Sequence, residues 1–165
     1  MKYTYPESLY KKIYSKNFSV YGIYFKTIIK TICKILENIT ERSIILDFGC
    51  GEGYLKKIYN NNKHQIINYD VIPEKSEVND YKNLKYDIII GSHVFCLFSE
   101  KQLNDFLDNE VKKNKNVKFI VAIGRQGFIS KIAQLITNKR SSNSYNQLNG
   151  KQEFEIMSRY RKLAF

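Results

Sequence analysis

Three glycines separated by single residues follow an apolar run and form the segment with the clearest chemical potential. The stretch from Ile44 to Gly53 reads IILDFGCGEG, so Gly49, Gly51 and Gly53 remove three Cβ atoms from one turn. Such a turn can bend sharply and leaves its backbone N–H groups open to a ligand. A helix predicted to start near Tyr54 would point its partly positive N-terminus at the same place. These residues therefore predict a ligand-binding loop.

Two glycine fingerprints are known for nucleotide-type cofactors, and the spacing separates them. The dinucleotide fingerprint G-x-G-x-x-G requires a glycine at position 54, which is Tyr54 here. The chain instead has D-x-G-x-G-x-G from Asp47 to Gly53, which resembles the first motif of class I S-adenosylmethionine-dependent methyltransferases. A carboxylate suits a cofactor that carries an ammonium and a sulfonium, whereas it would repel a pyrophosphate. The resemblance implies that S-adenosylmethionine is bound by Asp47, Gly49, Cys50, Gly51 and Gly53.

The resemblance continues after the second predicted strand. In the family an acid at the end of that strand accepts hydrogen bonds from the ribose hydroxyls, and Asp70 in IINYD matches it. Val71 and Ile72 would then lie along the adenine. A further acid, after a short third strand, faces the adenine amino group in the family. Asp80 in EVND fits that role, and the alternative is a solvated loop carboxylate.

The segment YDIIIGSHVFCLFSEKQL resembles the family's fourth strand and the loop and helix that follow. The resemblance implies that Gly91, Ser92 and His93 lie beside the methionine part of the cofactor. The family has no universal base, and His93 is the best-placed candidate because its pKa lies in the useful range. The alternative is a histidine that lines the cofactor or packs. Arg125 could hold an anionic acceptor or could be a solvated surface residue.

The elements that must position these residues alternate along the chain. Four apolar runs without strict alternation predict strands buried on both faces. They lie at Ser43–Leu46, Gln65–Tyr69, Lys85–Ile90 and Val117–Ile123. Apolar spacing predicts helices over Tyr21–Asn38 and after a capping box of Ser99 and Gln102. This order predicts a doubly wound α/β fold, with a mostly parallel sheet covered by helices on both faces, as in the Rossmann-like methyltransferase fold.

Two regions depart from the family pattern. Between Asp70 and Asp87 there is little room for the usual helix and third strand, which predicts a shortened region or a loop around Pro73. The family sheet ends in an antiparallel hairpin, and this chain has room for at most one of its two strands, predicted at Lys162–Phe165. An uncovered strand edge predicts a homodimer, a partner that completes the sheet, or a shortened and inactive copy.

We divide the chain into an N-terminal arm and helix at residues 1–42, which cap the same domain, and the cofactor-binding domain at residues 43–165. The aromatic residues of the arm would either cover a ligand or anchor the arm on the core; they are Tyr3, Tyr5, Tyr10, Tyr14, Phe18 and Tyr21. After the fourth strand we expect a helix around Ile129–Ile136, a loop over Asn138–Gly150 and a short helix that ends near Tyr160.

Composition narrows the class of protein. A chain of 165 residues fits one domain, and 43% hydrophobic with 26% charged residues is typical of a globular fold. The absence of a long apolar run or signal sequence and the three cysteines without a CxxC pair predict a cytoplasmic protein. Two histidines argue against a zinc site. The net charge of +11 comes mostly from dispersed lysines, so nucleic-acid binding is possible but not favoured.

Together these features predict an S-adenosylmethionine-dependent methyltransferase that acts on a small molecule or a glycan- or lipid-type acceptor. The alternatives are an RNA methyltransferase that uses the basic surface and a non-catalytic S-adenosylmethionine-binding protein. A nicotinamide oxidoreductase is a more distant alternative, against which Tyr54 argues.

Overall fold

The computed structural model of the chain describes residues 20–124 and 146–160. Its residues fall into two compact units, which divide between Thr40 and Glu41. In the first unit, the described residues form helix α1 at Val20–Asn38, as the apolar spacing predicts. The prediction that this helix caps the same domain as the cofactor loop stays a prediction, and the aromatic residues from Tyr3 to Phe18 lie outside the described part.

The second unit alternates strands and helices, as the sequence predicts. Its elements are β1 (Ile44–Phe48), α2 (Tyr54–Ile58), β2 (Gln65–Tyr69), β3 (Ile88–Ser92), α3 (Glu100–Lys113), β4 (Lys118–Ala122) and α4 (Gly150–Arg159), with 3-10 turns at Pro73–Lys75 and Phe95–Leu97. Strands β1 and β3 both end two residues later than predicted. The physical reason is pairing: Gly91 and Ser92 lie opposite Val121 and Ala122, so the backbone continues the ladder after the apolar run has ended.

The four strands form one parallel sheet in the order β2-β1-β3-β4. Strand β1 pairs with β2 on one side and with β3 on the other, so the direction of winding reverses between β1 and β3. In open parallel sheets, ligands bind at this reversal, beyond the carboxyl ends of the strands. The predicted doubly wound, parallel α/β fold is confirmed.

Helix α3 begins with the predicted capping box. The Ser99 side chain accepts a hydrogen bond from the Gln102 backbone at 3.3 Å, and Gln102 Oε1 accepts one from Ser99 N at 2.9 Å. The helix buries Leu103, Phe106 and Leu107. Phe106 and Phe48 meet at 4.9 Å between ring centroids, which packs α3 against the carboxyl end of β1. The aromatic core therefore lies directly beside the end of the strand that carries the glycine turn.

The region between Asp70 and Asp87 is a loop around Pro73, which was one of the two alternatives that the sequence predicted. It contains the 3-10 turn at Pro73–Lys75 and no strand. Glu77 fastens this loop to β2, because its backbone N–H donates to Asn68 O at 3.0 Å. The expectation of a short strand before Asp80 is therefore wrong. The backbone there forms single hydrogen bonds to β2 and no strand pairing.

The described C-terminal segment is a helix that ends where the sequence predicts. Helix α4 stops at Arg159, and Asn149 caps it by accepting hydrogen bonds from Lys151 N and Gln152 N, both at 3.0 Å. The predicted helix at Ile129–Ile136, most of the predicted loop and the strand at Lys162–Phe165 lie outside the described residues. Among the described helices, none is long and apolar enough to cross a membrane.

Candidate functional site

The parallel register brings the predicted site residues to one edge of the sheet. Phe48, the last residue of β1, lies opposite Tyr69 at the end of β2 and Gly91 near the end of β3. The glycine turn, Asp70, Ser92 and His93 therefore follow neighbouring strand ends. Asp80 does not follow a strand end. It is exposed, and its Oδ1 accepts a hydrogen bond from Lys82 N at 2.9 Å within its own turn.

The glycine turn adopts a backbone that favours glycine at all three positions. The φ angles of Gly49, Gly51 and Gly53 are 72°, 55° and 65°. A Cβ on Gly49 would lie 2.5 Å from Val94 Cγ2, and one on Gly53 would lie 2.8 Å from Asn68 Nδ2. A Cβ on Gly51 would meet nothing within 4 Å. Gly49 and Gly53 therefore satisfy packing, whereas Gly51 presents an open backbone surface.

Asp70 holds this turn against the end of β2. Its Oδ2 accepts a hydrogen bond from Gly51 N at 2.9 Å, and its Oδ1 accepts one from Ile72 N at 3.0 Å. The turn is bonded to β2 a second time, because Gly49 N and Cys50 N both donate to Tyr69 O, at 2.8 and 3.1 Å. The carboxylate and the open glycine are thus in direct contact, although 19 residues separate them.

Asp47 is a buried acid beneath the turn, only 5% exposed. Burial raises its pKa to about 7, and the negative charges of Asp70 and Glu77 contribute in the same direction. Ionisation at neutral pH is therefore unfavourable without a neighbouring positive charge. The electrostatics of this edge of the sheet favour a cationic ligand group.

Cys50 has a structural role in the turn. Its half-buried thiol contacts Lys75 O at 3.4 Å, which links the glycine turn to the 3-10 turn after β2. Burial, with the charges of Asp47 and Asp70, raises the pKa of Cys50 to about 12, so the side chain stays a thiol.

His93 combines burial with an unusual backbone. Among the described residues it is the one non-glycine with a positive φ, 55°, and its N–H donates to Ala122 O at 3.1 Å. Strained backbone of this kind clusters at functional sites. Burial lowers the pKa of His93, which keeps the imidazole neutral at neutral pH. Gly124 leaves room for the ring, because a Cβ there would lie 3.2 Å from His93 Nδ1.

Sequence reasoning missed two residues of this edge, Asn68 and Glu77. Asn68 Nδ2 donates to Glu77 Oε1 at 3.3 Å, and Glu77 also pairs with Lys56 at 2.7 Å. Asn68 could have been found, because it lies near the carboxyl end of β2, two residues before Asp70. Glu77 carries no local signal, since it reaches the site through the loop after β2.

The side chains after Asp70 offer an apolar surface. Val71 is 59% exposed, which is unusual for a valine next to a folded core, and Ile72 is half-buried. An exposed apolar side chain beside a carboxylate that ends a strand is suited to contact a flat apolar ligand group.

The strand order, the glycine turn after β1 and the acid after β2 define the fold of the class I S-adenosylmethionine-dependent methyltransferases. Two solved structures share it. The crystal structure of the small RNA methyltransferase HEN1 superposes with a TM-score of 0.63 at 20% identity, over 83% of this chain and 21% of that one. Magnesium protoporphyrin IX methyltransferase (ChlM) from Synechocystis PCC 6803, crystallised with bound SAH, gives a TM-score of 0.53 at 9% identity over 93% of this chain and 82% of that one.

The chain spans about a fifth of the length of the HEN1 chain it resembles. No family model matches the chain, and no curated protein matches it in sequence. At these identities the likeness to both structures concerns the fold.

Proposed function

We propose that this chain binds S-adenosylmethionine and is a methyltransferase. The observation that carries the proposal is the bond between the open Gly51 backbone and Asp70, above the buried acid Asp47. This arrangement offers a stretch of backbone with open space above it, a carboxylate for hydroxyl groups and a negative potential for cations. The fold likeness to two methyltransferases supports the same conclusion.

The residues present fit the parts of this cofactor. Asp70 would accept hydrogen bonds from the ribose hydroxyls, and the exposed Val71 with Ile72 would lie along the adenine. Asp80 would face the adenine amino group through Oδ2, because the hydrogen bond from Lys82 N engages Oδ1.

The amino acid part of the cofactor would lie across the end of β1 toward β3. Asp47, Gly49, Cys50, Gly51 and Gly53 would hold it from below, and Ser92 and His93 from the side. When bound, the cofactor supplies an electrophilic methyl group, so the main task of the protein is to hold an acceptor in line. His93 is the candidate base because burial keeps it neutral.

The proposed acceptor is a small molecule or a glycan- or lipid-type compound. Among the described residues, no element beyond the core forms a dedicated nucleic-acid module. The net charge of +11 supports RNA as the second candidate acceptor. RNA binding that weakens steeply with salt would favour that candidate, and a lack of RNA binding at low salt would remove it. A protein that binds the cofactor without turnover on any acceptor would be the non-catalytic alternative.

The proposal includes a cytoplasmic location, supported by the free thiols of Cys33, Cys50 and Cys96. Completion of the sheet edge by a second copy or a partner also stays a prediction.

Thermal unfolding with S-adenosylmethionine, S-adenosylhomocysteine and NAD tests the cofactor. We expect the first two to raise the unfolding midpoint in a concentration-dependent way, because a ligand that binds only the folded state stabilises it. NAD should leave the midpoint unchanged, because Tyr54 stands where the dinucleotide turn needs glycine. Stabilisation by NAD alone would refute the proposal.

Cofactor affinity should rise with pH. The ammonium group that S-adenosylhomocysteine shares with S-adenosylmethionine prefers ionised Asp47, whose pKa in the free protein is raised to about 7. Binding below that pH must therefore release the proton, so affinity should increase about 25-fold between roughly pH 5.5 and 7.5. Calorimetric titrations of S-adenosylhomocysteine across this range measure the slope. The Asp47→Asn variant should bind weakly with little pH dependence, whereas an unchanged slope in that variant would exclude Asp47 as the cause.

A further inference from the structure

Helix α4 begins beside the carboxyl ends of β3 and β4. Gln147 N and Leu148 N both donate to Cys96 O, at 2.9 and 3.1 Å. Gly150 packs on the backbone oxygen of Gly124, so closely that a Cβ would collide with it. Most of the proposed cofactor residues lie at or after the ends of β1 and β2. The start of α4 lies on the β3 side of the point where the winding reverses, together with Ser92 and His93.

The first turn of α4 contains a buried acid that none of the roles above employs. Glu153 is 1% exposed, and its Oε1 has no hydrogen-bond partner within the part of the chain that the structure describes. Burying an acid without a partner costs several kcal/mol, roughly, if it is ionised. Burial accordingly raises the pKa of Glu153 to about 7. A packing role alone would be served better by an apolar side chain.

The neighbours of Glu153 connect it to the strained residue at the end of β3. Gly150, one helical turn before Glu153, packs on Gly124 O, and Gly124 in turn lies against the His93 ring. The negative charge of Glu153 also raises the pKa of the Cys96 thiol. The Cys96 thiol in turn contacts His93 O at 3.5 Å. The buried carboxyl of Glu153 therefore belongs to a helix whose start packs beside His93 and the 3-10 turn at Phe95–Leu97.

We infer that Glu153 is the acceptor-binding residue of this site, and that its unpartnered carboxyl oxygen receives a hydrogen bond from an amine or hydroxyl group of a small acceptor. The inference rests on the proposed methyltransferase function, and it defines the acceptor by chemistry. A molecule that presents an N–H or O–H donor satisfies the buried oxygen, whereas an anion meets repulsion. The acceptor thus occupies the ends of β3 and β4, next to His93.

Benzylamine and benzoate are suitable probes, because they share a ring and differ in the sign of their charge. We expect protein saturated with S-adenosylhomocysteine to bind benzylamine at least about tenfold more tightly than benzoate, as a charged hydrogen bond permits. Glu153→Gln should reduce this preference by about tenfold or more. Glu155→Gln, an exposed position on the same helix, should leave it unchanged. Calorimetry or ligand-observed magnetic resonance measures both affinities.

The outcomes separate the two proposals. If S-adenosylhomocysteine does not bind the wild-type protein, the proposed function fails. If it binds but the wild type shows no preference for benzylamine, or Glu153→Gln keeps the preference, the role of Glu153 is overturned. Thermal unfolding of Glu153→Gln and of the apolar Glu153→Met establishes that the variants fold. Loss of the preference in both folded variants is the result that supports the inference.

Discussion

The Asp70→Ala variant should lose at least about 100-fold in affinity for S-adenosylhomocysteine. Two hydrogen bonds from ribose hydroxyls to a carboxylate account for roughly this loss, at about 1.5–3 kcal/mol each. The same change removes the acceptors for Gly51 N and Ile72 N, so the glycine turn would also lose its support. Calorimetric titration at constant pH gives the affinity directly.

Asp105→Ala is the matched control for charge, because Asp105 is an exposed acid on α3, distant in sequence from the turn. Its affinity should stay within about twofold of the wild type, as for surface substitutions generally. Asp70→Asn separates the two roles, since the amide keeps one oxygen for a backbone N–H but loses the charge. Undiminished binding by Asp70→Ala would contradict the assignment of the ribose site.

Gly49→Ala and Gly51→Ala should differ strongly in folding stability although both place a Cβ at a positive φ. The left-handed conformation costs each alanine about 1–2 kcal/mol. Gly49→Ala also drives its Cβ to 2.5 Å from Val94 Cγ2, which adds overpacking of about 1–3 kcal/mol. Gly51→Ala meets no atom within 4 Å, so it should lower the free energy of unfolding by the backbone cost alone.

Urea denaturation of the two variants measures this difference. The double variant Gly49→Ala with Val94→Ala relieves the collision and should recover part of the loss, beyond the sum of the single effects. Gly51→Ala should instead weaken cofactor binding more than it weakens the fold, because its Cβ points into open space where the ligand would lie. Equal stability of the two single variants would show that Val94 can move aside.

Most of the fold could be predicted from the pattern of apolar residues. The runs around β1 to β4 were placed in the right order, because strands buried on both faces require continuous apolar side chains. The Ser99–Gln102 capping box marks the start of α3 since its hydrogen bonds are local. Strand ends were less well predicted: Gly91 and Ser92 join β3 through pairing with β4, which no local pattern contains.

The candidate site likewise contains residues that the sequence indicated and residues that it did not. Asp47, the three glycines and Asp70 stand at spacings that carry their own signal, and the bond between Gly51 and Asp70 brings the two segments together. Glu77 and Glu153 carry no such signal. Each lies near the strand ends only because a loop or a helix returns to the sheet, and that return depends on contacts between residues far apart in sequence.

The sequence by itself therefore determined the parallel α/β architecture and the glycine turn with its two acids, because periodicity and short-range spacing encode both. Only the tertiary structure decided the pKa, the packing and the exposure of these residues. Burial beneath the turn raises the pKa of Asp47, the contact with Val94 makes Gly49 a packing residue, and Gly51 is left open. Burial in α4 likewise leaves an oxygen of the Glu153 carboxyl without a hydrogen-bond partner among the described residues. Burial and close approach are properties of the folded chain, and residue spacing alone does not contain them.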